Sequence, residues 1–213
     1  MEIENQFKKF SKIVNNGIIN FLPKQENNLY ESMRYSFSSG GKRLRPSLCL
    51  LTCGTLGGDI RKAIPLAVAI ELIHNAFLIH DDIEDGDKIR RNLPTVWMKY
   101  GISEGINSGD GLILKAYESI LNSSQFLKHE QVLILTKIFT NVLIEIVEGQ
   151  NFEFELKHKN YVTEDEYMNM VEKKTGMLIG FSLSSGAFIA GCSPELQNEL
   201  MEYGKKLGLA FQI

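Results

Sequence analysis

The strongest constraint in this sequence is a long apolar segment that ends in a dense cluster of carboxylates. From Ala63 to Ile79 nearly every residue is apolar, which predicts a helix buried on all sides within a larger bundle. Five acidic residues follow within seven positions: Asp81, Asp82, Glu84, Asp85 and Asp87. Acidic residues are unfavourable at the negative end of a helix and repel one another in adjacent turns. The pattern therefore suggests that a cation is needed at this place.

Helical spacing places several of these side chains together. Asp81 and Asp85 are four residues apart and share a face, with Asp82 one step round the helix. His74 precedes Asp81 by two turns and lies on the same face.

Three interpretations of the acidic cluster compete. A solvated helix end is the common explanation for acidic residues in a row. A calcium-binding EF-hand loop is excluded, because Ile83 stands where an oxygen ligand is needed and Asn92 where Glu is needed. A magnesium site with an open side is the third, since Mg²⁺ takes one or two protein carboxylates and fills its shell with water and phosphate. Arg90 and Arg91 favour this interpretation, because guanidinium groups pair with diphosphate oxygens.

A basic segment earlier in the chain is a second candidate site. Gly40 and Gly41 are followed by Lys42, Arg43 and Arg45, directly before a predicted helix. A helix cap and a turn would explain the two glycines as structure alone. A glycine-rich turn at a helix start also exposes N–H groups to an anion. The basic residues favour the anion, with Lys42 and Arg45 converging on a second phosphate group.

Length, charge and cysteines limit the functional class. The 213 residues are enough for one substantial core, so residues 1–213 are predicted to form a single domain. The chain has 23 Lys plus Arg, 26 Asp plus Glu and a net charge of -3, which argues against a nucleic-acid binder. Cys49, Cys53 and Cys192 form no CxxC pair and indicate free thiols in a reducing compartment. No signal peptide or integral membrane segment is recognised, so a soluble, cytoplasmic protein is expected.

Helical periodicity continues through the rest of the chain. Helices are predicted at 3–21, 26–37, 46–57, 102–122, 129–157, 163–190 and 194–212. No alternation requires a strand, so the fold is predicted to be all-α. Small residues at Gly176, Gly180 and 184–186 would let either a neighbouring helix or a ligand tail approach closely.

In their order along the chain, these motifs resemble those of the trans-prenyltransferases, the short-chain polyprenyl diphosphate synthases. The two long motifs are GGKRLRP at 40–46 and HDDIEDGDKIRRN at 80–92. Shorter similarities follow at Asn92–Thr95, Ile106–Asp110, Glu148–Gln150, Lys174–Gly176 and Phe211–Ile213. The resemblance covers essentially the whole chain. It departs from the family pattern at Asn92, where Gly is usual, and at Glu153, where Asp is usual.

The resemblance implies a fold and an activity. The fold would be an isoprenoid-synthase-type antiparallel helical bundle around a central cavity. The activity would be the head-to-tail condensation of isopentenyl diphosphate with an allylic diphosphate, in which the allylic C–O bond ionises, the isopentenyl double bond attacks the cation and a proton is lost. Mg²⁺ is the implied cofactor, because a metal ion neutralises the leaving diphosphate. Members of the family usually dimerise, so a homodimer is expected.

Matching positions assign a role to each candidate residue. Asp81 and Asp85 would hold Mg²⁺, with Asp82 supporting them. The substrate contacts implied are Arg90 and Lys174 for the allylic diphosphate, Thr175 and Gln212 beside the cation, and Lys42, Arg45, His74 and Arg91 for isopentenyl diphosphate. Without the motif, a lone histidine such as His74 would more commonly be a buried core residue whose ring nitrogens have hydrogen-bond partners.

The residues one and two turns before Asp81 bear on product length. They are expected to line the wall along which the product grows. Phe77 is bulky enough to block it early, whereas Ala76 and Ile73 leave room. The two-residue spacing within the acidic motif resembles that of geranylgeranyl-type enzymes, and a C15–C20 product is expected.

The sequence ends directly after Phe211-Gln212-Ile213, where the family continues into a second aspartate-rich motif. The chain is therefore expected to be the N-terminal part of such a bundle, without its C-terminal helices, and to be weakly active or inactive alone. A truncated chain and a natural half-length protein both remain open.

Two other functions also remain open. One is a non-catalytic partner subunit of a heteromeric synthase, which the missing second motif favours and the intact first motif disfavours. The other is a class I terpene cyclase, which would have no use for an isopentenyl diphosphate site.

Overall fold

The computed structural model describes residues 2–212, and about 80% of them are helical, which confirms the prediction of an all-α fold. The α-helices are α1 (Glu2–Phe21), α2 (Asn28–Tyr35), α3 (Leu44–Thr55), α4 (Ile60–Glu84), α5 (Val96–Tyr100), α6 (Ile102–Leu121), α7 (His129–Lys157), α8 (Glu164–Val171), α9 (Met177–Ile189) and α10 (Pro194–Gln212). A 3₁₀ turn covers Asn122–Gln125, and a π-helical turn covers Glu172–Gly176. Ile213, which ends the Phe-Gln-Ile segment, lies outside the described residues.

Two compact units make up the described chain. The first contains the residues up to Ser47 and Ile64–Ser123, and the second contains Leu48–Ala63 and the residues from Ser124 onward. That residues 1–213 form a single domain stays a prediction.

The first unit is built on the apolar part of α4. Every residue from 66 to 73 is buried, as the sequence predicts for a helix at the centre of a bundle. On α1, Phe10, Val14 and Ile18 recur every four residues and are also buried. At Gly17 the α1 backbone lies so close to α4 that an added Cβ would be 2.7 Å from Val68.

A tight hairpin follows the acidic end of α4. Strands β1 (Ile89–Arg90) and β2 (Leu93–Pro94) pair antiparallel, with Arg90 opposite Leu93. The two loop residues, Arg91 and Asn92, both have positive φ, at 50° and 65°. This is the backbone of a type I′ turn, in which Gly and Asn are favoured. The turn explains why Asn can stand where the related motif has Gly, because Asn tolerates the left-handed region better than other side chains.

The second unit has a core of α7, α9 and α10. Residues 178–187 of α9 are buried, and the rings of Phe139 and Phe181 lie 5.5 Å apart. Helix α10 approaches α9 closely, since a Cβ at Gly204 would lie 2.5 Å from the Cα of Gly180. Of the two explanations for these small residues, close helix packing accounts for Gly180.

The structure differs from the predicted elements in two places. The single helix expected at 163–190 is divided by the π-helical turn Glu172–Gly176. The hairpin and the short helix α5 occupy a segment for which the sequence predicted no regular element. The Thr163 cap was predicted correctly, since its Oγ accepts from Glu166 N at 3.2 Å.

Among the described residues, one helix meets the length and composition expected of a membrane span, and that helix is α4. Its apolar window is 67% buried within the protein. Buried core helices meet the same criterion, so α4 is weak evidence for a membrane segment.

Two cysteine thiols should be chemically inert in the folded protein. Burial raises the pKa of Cys49 to about 12 and the pKa of Cys53 to about 11, so almost no thiolate exists at mildly alkaline pH. We expect a thiol reagent that measures thiolate, such as Ellman's reagent, to label both only after unfolding in guanidinium. Rapid labelling of all three cysteines in the folded protein would contradict this.

The type I′ turn makes a separate prediction about stability. Asn92→Gly should leave the free energy of unfolding unchanged or raise it, whereas Asn92→Val should lower it by about 1–2 kcal/mol, the cost of a β-branched residue at positive φ. Urea denaturation measures the difference. Lys88→Val, an exposed position beside the same hairpin, is the control and should have little effect. Equal stability of Asn92→Val and wild type would show that the turn is not under this constraint.

Candidate functional site

The loop that follows α4 donates hydrogen bonds to the last carbonyls of the helix. The Asp85 N–H donates to the Asp81 carbonyl at 2.8 Å, so the helix continues into the acidic cluster. The Asp82 carbonyl accepts from the Asp87 N–H and from the indole N–H of Trp97, both at 2.9 Å. Because these carbonyls are satisfied by neighbouring donors, the helix can end among acidic side chains without exposing its negative pole to them.

Asp82 is buried and has a direct basic partner. Its carboxylate accepts from Arg90 Nε at 2.6 Å, and the residue is only 3% exposed. Burial raises the pKa of Asp82, while the Arg90 guanidinium acts in the opposite direction. The support of Asp82 for a metal ion, expected from the sequence, stays a prediction, and the pairing with Arg90 is what the structure shows.

Asp81 and Asp85 occupy the same side of the helix end. Asp81 is half-buried and Asp85 is exposed. Within residues 2–212 there is no group of three or more His, Cys, Asp or Glu residues placed to hold a metal ion. Two carboxylates with an open side nevertheless fit Mg²⁺, which takes few protein ligands and keeps positions for water and phosphate oxygens.

The basic residues of the first unit surround His74. Burial lowers the pKa of His74 well below its usual value, and the nearby charges of Arg45, Arg91, Arg43 and Arg90 lower it further. His74 is therefore a neutral imidazole in a strongly positive field. An incoming polyanion would be attracted to this field and would find a ring N–H as donor.

Arg45 has an unused donor inside this cluster. Its Nε is buried and has no hydrogen-bond partner among the described residues. Burial lowers the pKa of Arg45, although the nearby Glu71 carboxylate acts in the opposite direction, and a guanidinium remains charged at neutral pH. A buried N–H without a partner costs about 1–3 kcal/mol, which a bound anion would recover.

The glycine turn lies between two of these arginines. The Gly40 carbonyl accepts from Arg43 Nη1 at 3.1 Å and also from Arg91 Nη1. Gly41 has φ of 141°, and a Cβ there would lie 2.6 Å from Arg91 Nη1. The second glycine is therefore favoured by its backbone conformation, and a side chain there would displace the arginine side-chain ends. Lys42 is exposed, so it can reach a ligand.

The second unit holds Lys174 and Thr175 in its π-helical turn. Such turns are rare in proteins overall, and those that occur are often found at functional sites. The turn presses against α7 at Gly149, where a Cβ would lie 2.6 Å from Lys174 N. The Lys174 ammonium donates to Glu153, the residue that replaces the usual Asp, and Lys157 lies 3.6 Å from the other oxygen of that carboxylate. Thr175 is half-buried, and Gln212 is exposed at the end of α10.

The three residues expected to line the wall along which the product grows differ in exposure. Ile73 and Ala76 are fully buried, whereas Phe77 is half-buried. Of the three, Phe77 alone has a partly exposed side chain, and its role in product length stays a prediction.

The sequence analysis missed two groups that organise the first unit. Trp97 donates to the carbonyls of Asp82 and Asp87, and Glu71 is a buried partner of Arg43. Glu71 and Asn75 could have been found, because they are polar residues four apart within an otherwise apolar helix. Nothing in the sequence spacing indicates the contact of Trp97.

Comparison with known proteins gives a consistent result. Residues 26–213 match the family described as polyprenyl synthetase. The chain is 39% identical to the geranylgeranyl diphosphate synthase of Methanosarcina mazei and 42% identical to the geranylgeranyl pyrophosphate synthase of Geoglobus acetivorans. These alignments cover 100% and 99% of this chain but 65% and 66% of the relatives' own lengths.

Solved structures agree with the sequence matches. The geranylgeranyl pyrophosphate synthetase of Geoglobus acetivorans superposes with a TM-score of 0.93 at 40% identity, covering 97% of this chain and 67% of that one. The enzyme of the same name from Pyrococcus horikoshii gives 0.92 at 36% identity, covering 100% and 65%. The match to the family extends over most of the chain and over both of its long motifs, and the chain belongs to the polyprenyl synthetase family.

Proposed function

We propose that this protein is a prenyltransferase, which condenses isopentenyl diphosphate head-to-tail with an allylic diphosphate in a Mg²⁺-dependent reaction. Its product would be a polyprenyl diphosphate of C15–C20 length. The names of the relatives, geranylgeranyl diphosphate synthases, favour the longer end of this range.

One observation carries the proposal. The buried Nε of Arg45, which has no partner within the described residues, lies in the same basic cluster as the neutral His74. A chain with a net charge of -3 has no general need for such a cluster, so its purpose is local. Lys42, Arg45, His74 and Arg91 would bind the diphosphate of isopentenyl diphosphate, with charge-assisted hydrogen bonds from the cationic groups.

The acidic helix end suits the second substrate. Asp81 and Asp85 would hold Mg²⁺, which when bound neutralises the leaving diphosphate. Arg90 would contribute a guanidinium to the allylic diphosphate, and its hydrogen bond to Asp82 holds its Nε in a fixed orientation. By their matching positions in the family, we also propose Lys174 for the allylic diphosphate and Thr175 and Gln212 beside the allylic cation.

The proposal extends to assembly and location. Helix α7 has three exposed apolar residues, Leu133, Ile144 and Val147. Ile144 and Val147 follow Leu133 by eleven and fourteen residues, which are close to whole numbers of helical turns, so the three share one face. An apolar face of this kind supports a homodimer. Free cysteines support a reducing, cytoplasmic location.

Product analysis by mass spectrometry tests the activity. The protein expressed from its complete open reading frame is incubated with Mg²⁺, isopentenyl diphosphate and an allylic diphosphate of five, ten or fifteen carbons. We expect prenyl diphosphate product, and we expect Asp81→Asn and Asp85→Asn to lower its rate at least about a hundredfold, because each removes a carboxylate that holds the metal ion.

Glu84→Gln is the matched control, since it removes an acid of the same cluster that has no proposed role. Its rate should stay close to that of wild type. Product formed equally well after chelation of divalent metal would contradict the role of Asp81 and Asp85. Binding of isopentenyl diphosphate without any product would instead favour a non-catalytic partner subunit.

Product length gives a separate prediction. Phe77→Ala should yield longer products than wild type, because the half-buried ring would no longer limit the growing chain. Phe77→Tyr keeps the bulk and should leave the product distribution unchanged. Identical products from Phe77→Ala and wild type would exclude Phe77 as the residue that stops elongation.

A further inference from the structure

Arg43 differs from the two basic residues beside it in where its side chain lies. It is only 5% exposed, and its Nη1 lies 2.8 Å from Glu71 Oε1. The two side chains are each 3% exposed, so this is a buried ion pair. The backbone of Arg43 has φ of 49°, which is uncommon for a residue other than glycine.

Several groups of the first unit hold the Arg43 guanidinium. Arg43 Nε donates to Asn15 Oδ1 at 2.8 Å, so α1 contributes an acceptor. Asn75 Nδ2 donates to Glu71 Oε1 at 2.9 Å, so the carboxylate that accepts from Arg43 is itself held in place. The guanidinium is thus fixed between α1 and α4 rather than directed at a ligand.

The Gly40 carbonyl links this network to the residues proposed to bind isopentenyl diphosphate. It accepts from Arg43 Nη1 and from Arg91 Nη1. Arg91 lies in the strained turn of the hairpin, at φ of 50°, and this contact connects it to the glycine turn. Lys42 precedes Arg43 directly in the chain, and Arg45 follows two residues later, so the backbone position of Arg43 constrains both.

Stability alone is a poor explanation for this arrangement. Replacing a buried ion pair with apolar residues of similar volume is often neutral or stabilising, because the cost of desolvating two charges offsets their attraction. The left-handed backbone of Arg43 adds a further cost. A costly feature at the centre of a candidate site indicates a role in holding that site in one geometry.

We propose that Arg43, anchored on Glu71, is a positioning residue that holds Lys42, Arg45 and Arg91 in the geometry that binds isopentenyl diphosphate. This rests on the proposed prenyltransferase function. We expect the effect to fall mainly on one substrate, because the described hydrogen bonds and ion pairs of the Arg90 side chain go to Asp82 and Asp87, and none of those described goes to Arg43 or Glu71. Loss of the Arg43–Glu71 pair should therefore weaken the binding of isopentenyl diphosphate and leave the binding of the allylic diphosphate almost unchanged.

The test compares three variants of the protein expressed from its complete open reading frame. Arg43→Met combined with Glu71→Leu removes both charges and avoids leaving one buried and unpaired. Arg43→Lys keeps the charge but loses the fork of donors. Arg34→Met is the control, because Arg34 also ties down loop carbonyls, those of Pro23 and Gln25, outside the candidate site.

Two measurements are made on each folded variant. One is the KM for each substrate, and the other is calorimetric titration with isopentenyl diphosphate alone. For the double variant we expect the KM and the Kd for isopentenyl diphosphate to rise roughly tenfold or more, as for one misplaced charge-assisted hydrogen bond. The KM for the allylic diphosphate should change less than about threefold, and Arg43→Lys should give an intermediate rise in the isopentenyl value. Arg34→Met should lower the melting temperature without changing either KM.

The outcomes separate this inference from the function on which it rests. Isopentenyl diphosphate affinity equal in wild type and the double variant would overturn the positioning role, as would an equal rise in both KM values. No prenyl product from wild type would overturn the proposed function, and the calorimetric comparison would still decide the role of Arg43. No binding of isopentenyl diphosphate by wild type would overturn both.

Discussion

The first unit depends on how the acidic end of α4 is stabilised. A helix that ends among carboxylates places like charges beside its own negative pole, which is unfavourable unless the last carbonyls are satisfied. Here the Asp82 carbonyl accepts from the Asp87 N–H and from the Trp97 indole, and the Asp82 carboxylate accepts from Arg90. The loop after α4 is thereby tied back onto the helix that it follows. Because Arg90 and Arg91 lie on that loop, stabilising the helix end also fixes the basic residues relative to the acidic ones.

Neighbouring basic residues differ in burial and in their partners in both candidate motifs. In the hairpin, Arg90 turns inward to Asp82, while Arg91 is exposed. In the glycine turn, Arg43 is buried against Glu71, while Lys42 is exposed. Each motif therefore contains one cation that is neutralised by a buried carboxylate and one that is available to an anion. The residues of each basic run are therefore not several equivalent charges, because they differ in burial and in their partners.

How far the sequence predicts the structure depends on whether a feature is local. Helix α7 was predicted with the same bounds, 129–157, because its apolar period is strong and its ends are polar. The π-helical turn at Glu172–Gly176 was not predicted, because it depends on close contact with Gly149 of α7. Likewise, the motifs identified the candidate residues, but not which of two adjacent cations points inward. That choice follows from buried carboxylates distant in the sequence, Glu71 for Arg43 and Asp82 for Arg90, which only the folded chain brings into contact with them.

The candidate site is positively charged, although the chain as a whole carries a net negative charge. The net charge of -3 would repel a diphosphate weakly at long range, but charges beyond about 8–10 Å are screened at physiological salt. Within that distance the pairs Arg43–Glu71 and Arg90–Asp82 contribute little net field, since each is close to neutral. The positive field at His74 therefore comes mainly from Arg45 and Arg91, neither of which has a buried carboxylate as its direct partner among the hydrogen bonds described. Pairing two of the four arginines with carboxylates lowers the mutual repulsion within the cluster, while Arg45 and Arg91, without a described carboxylate partner, keep the local field positive.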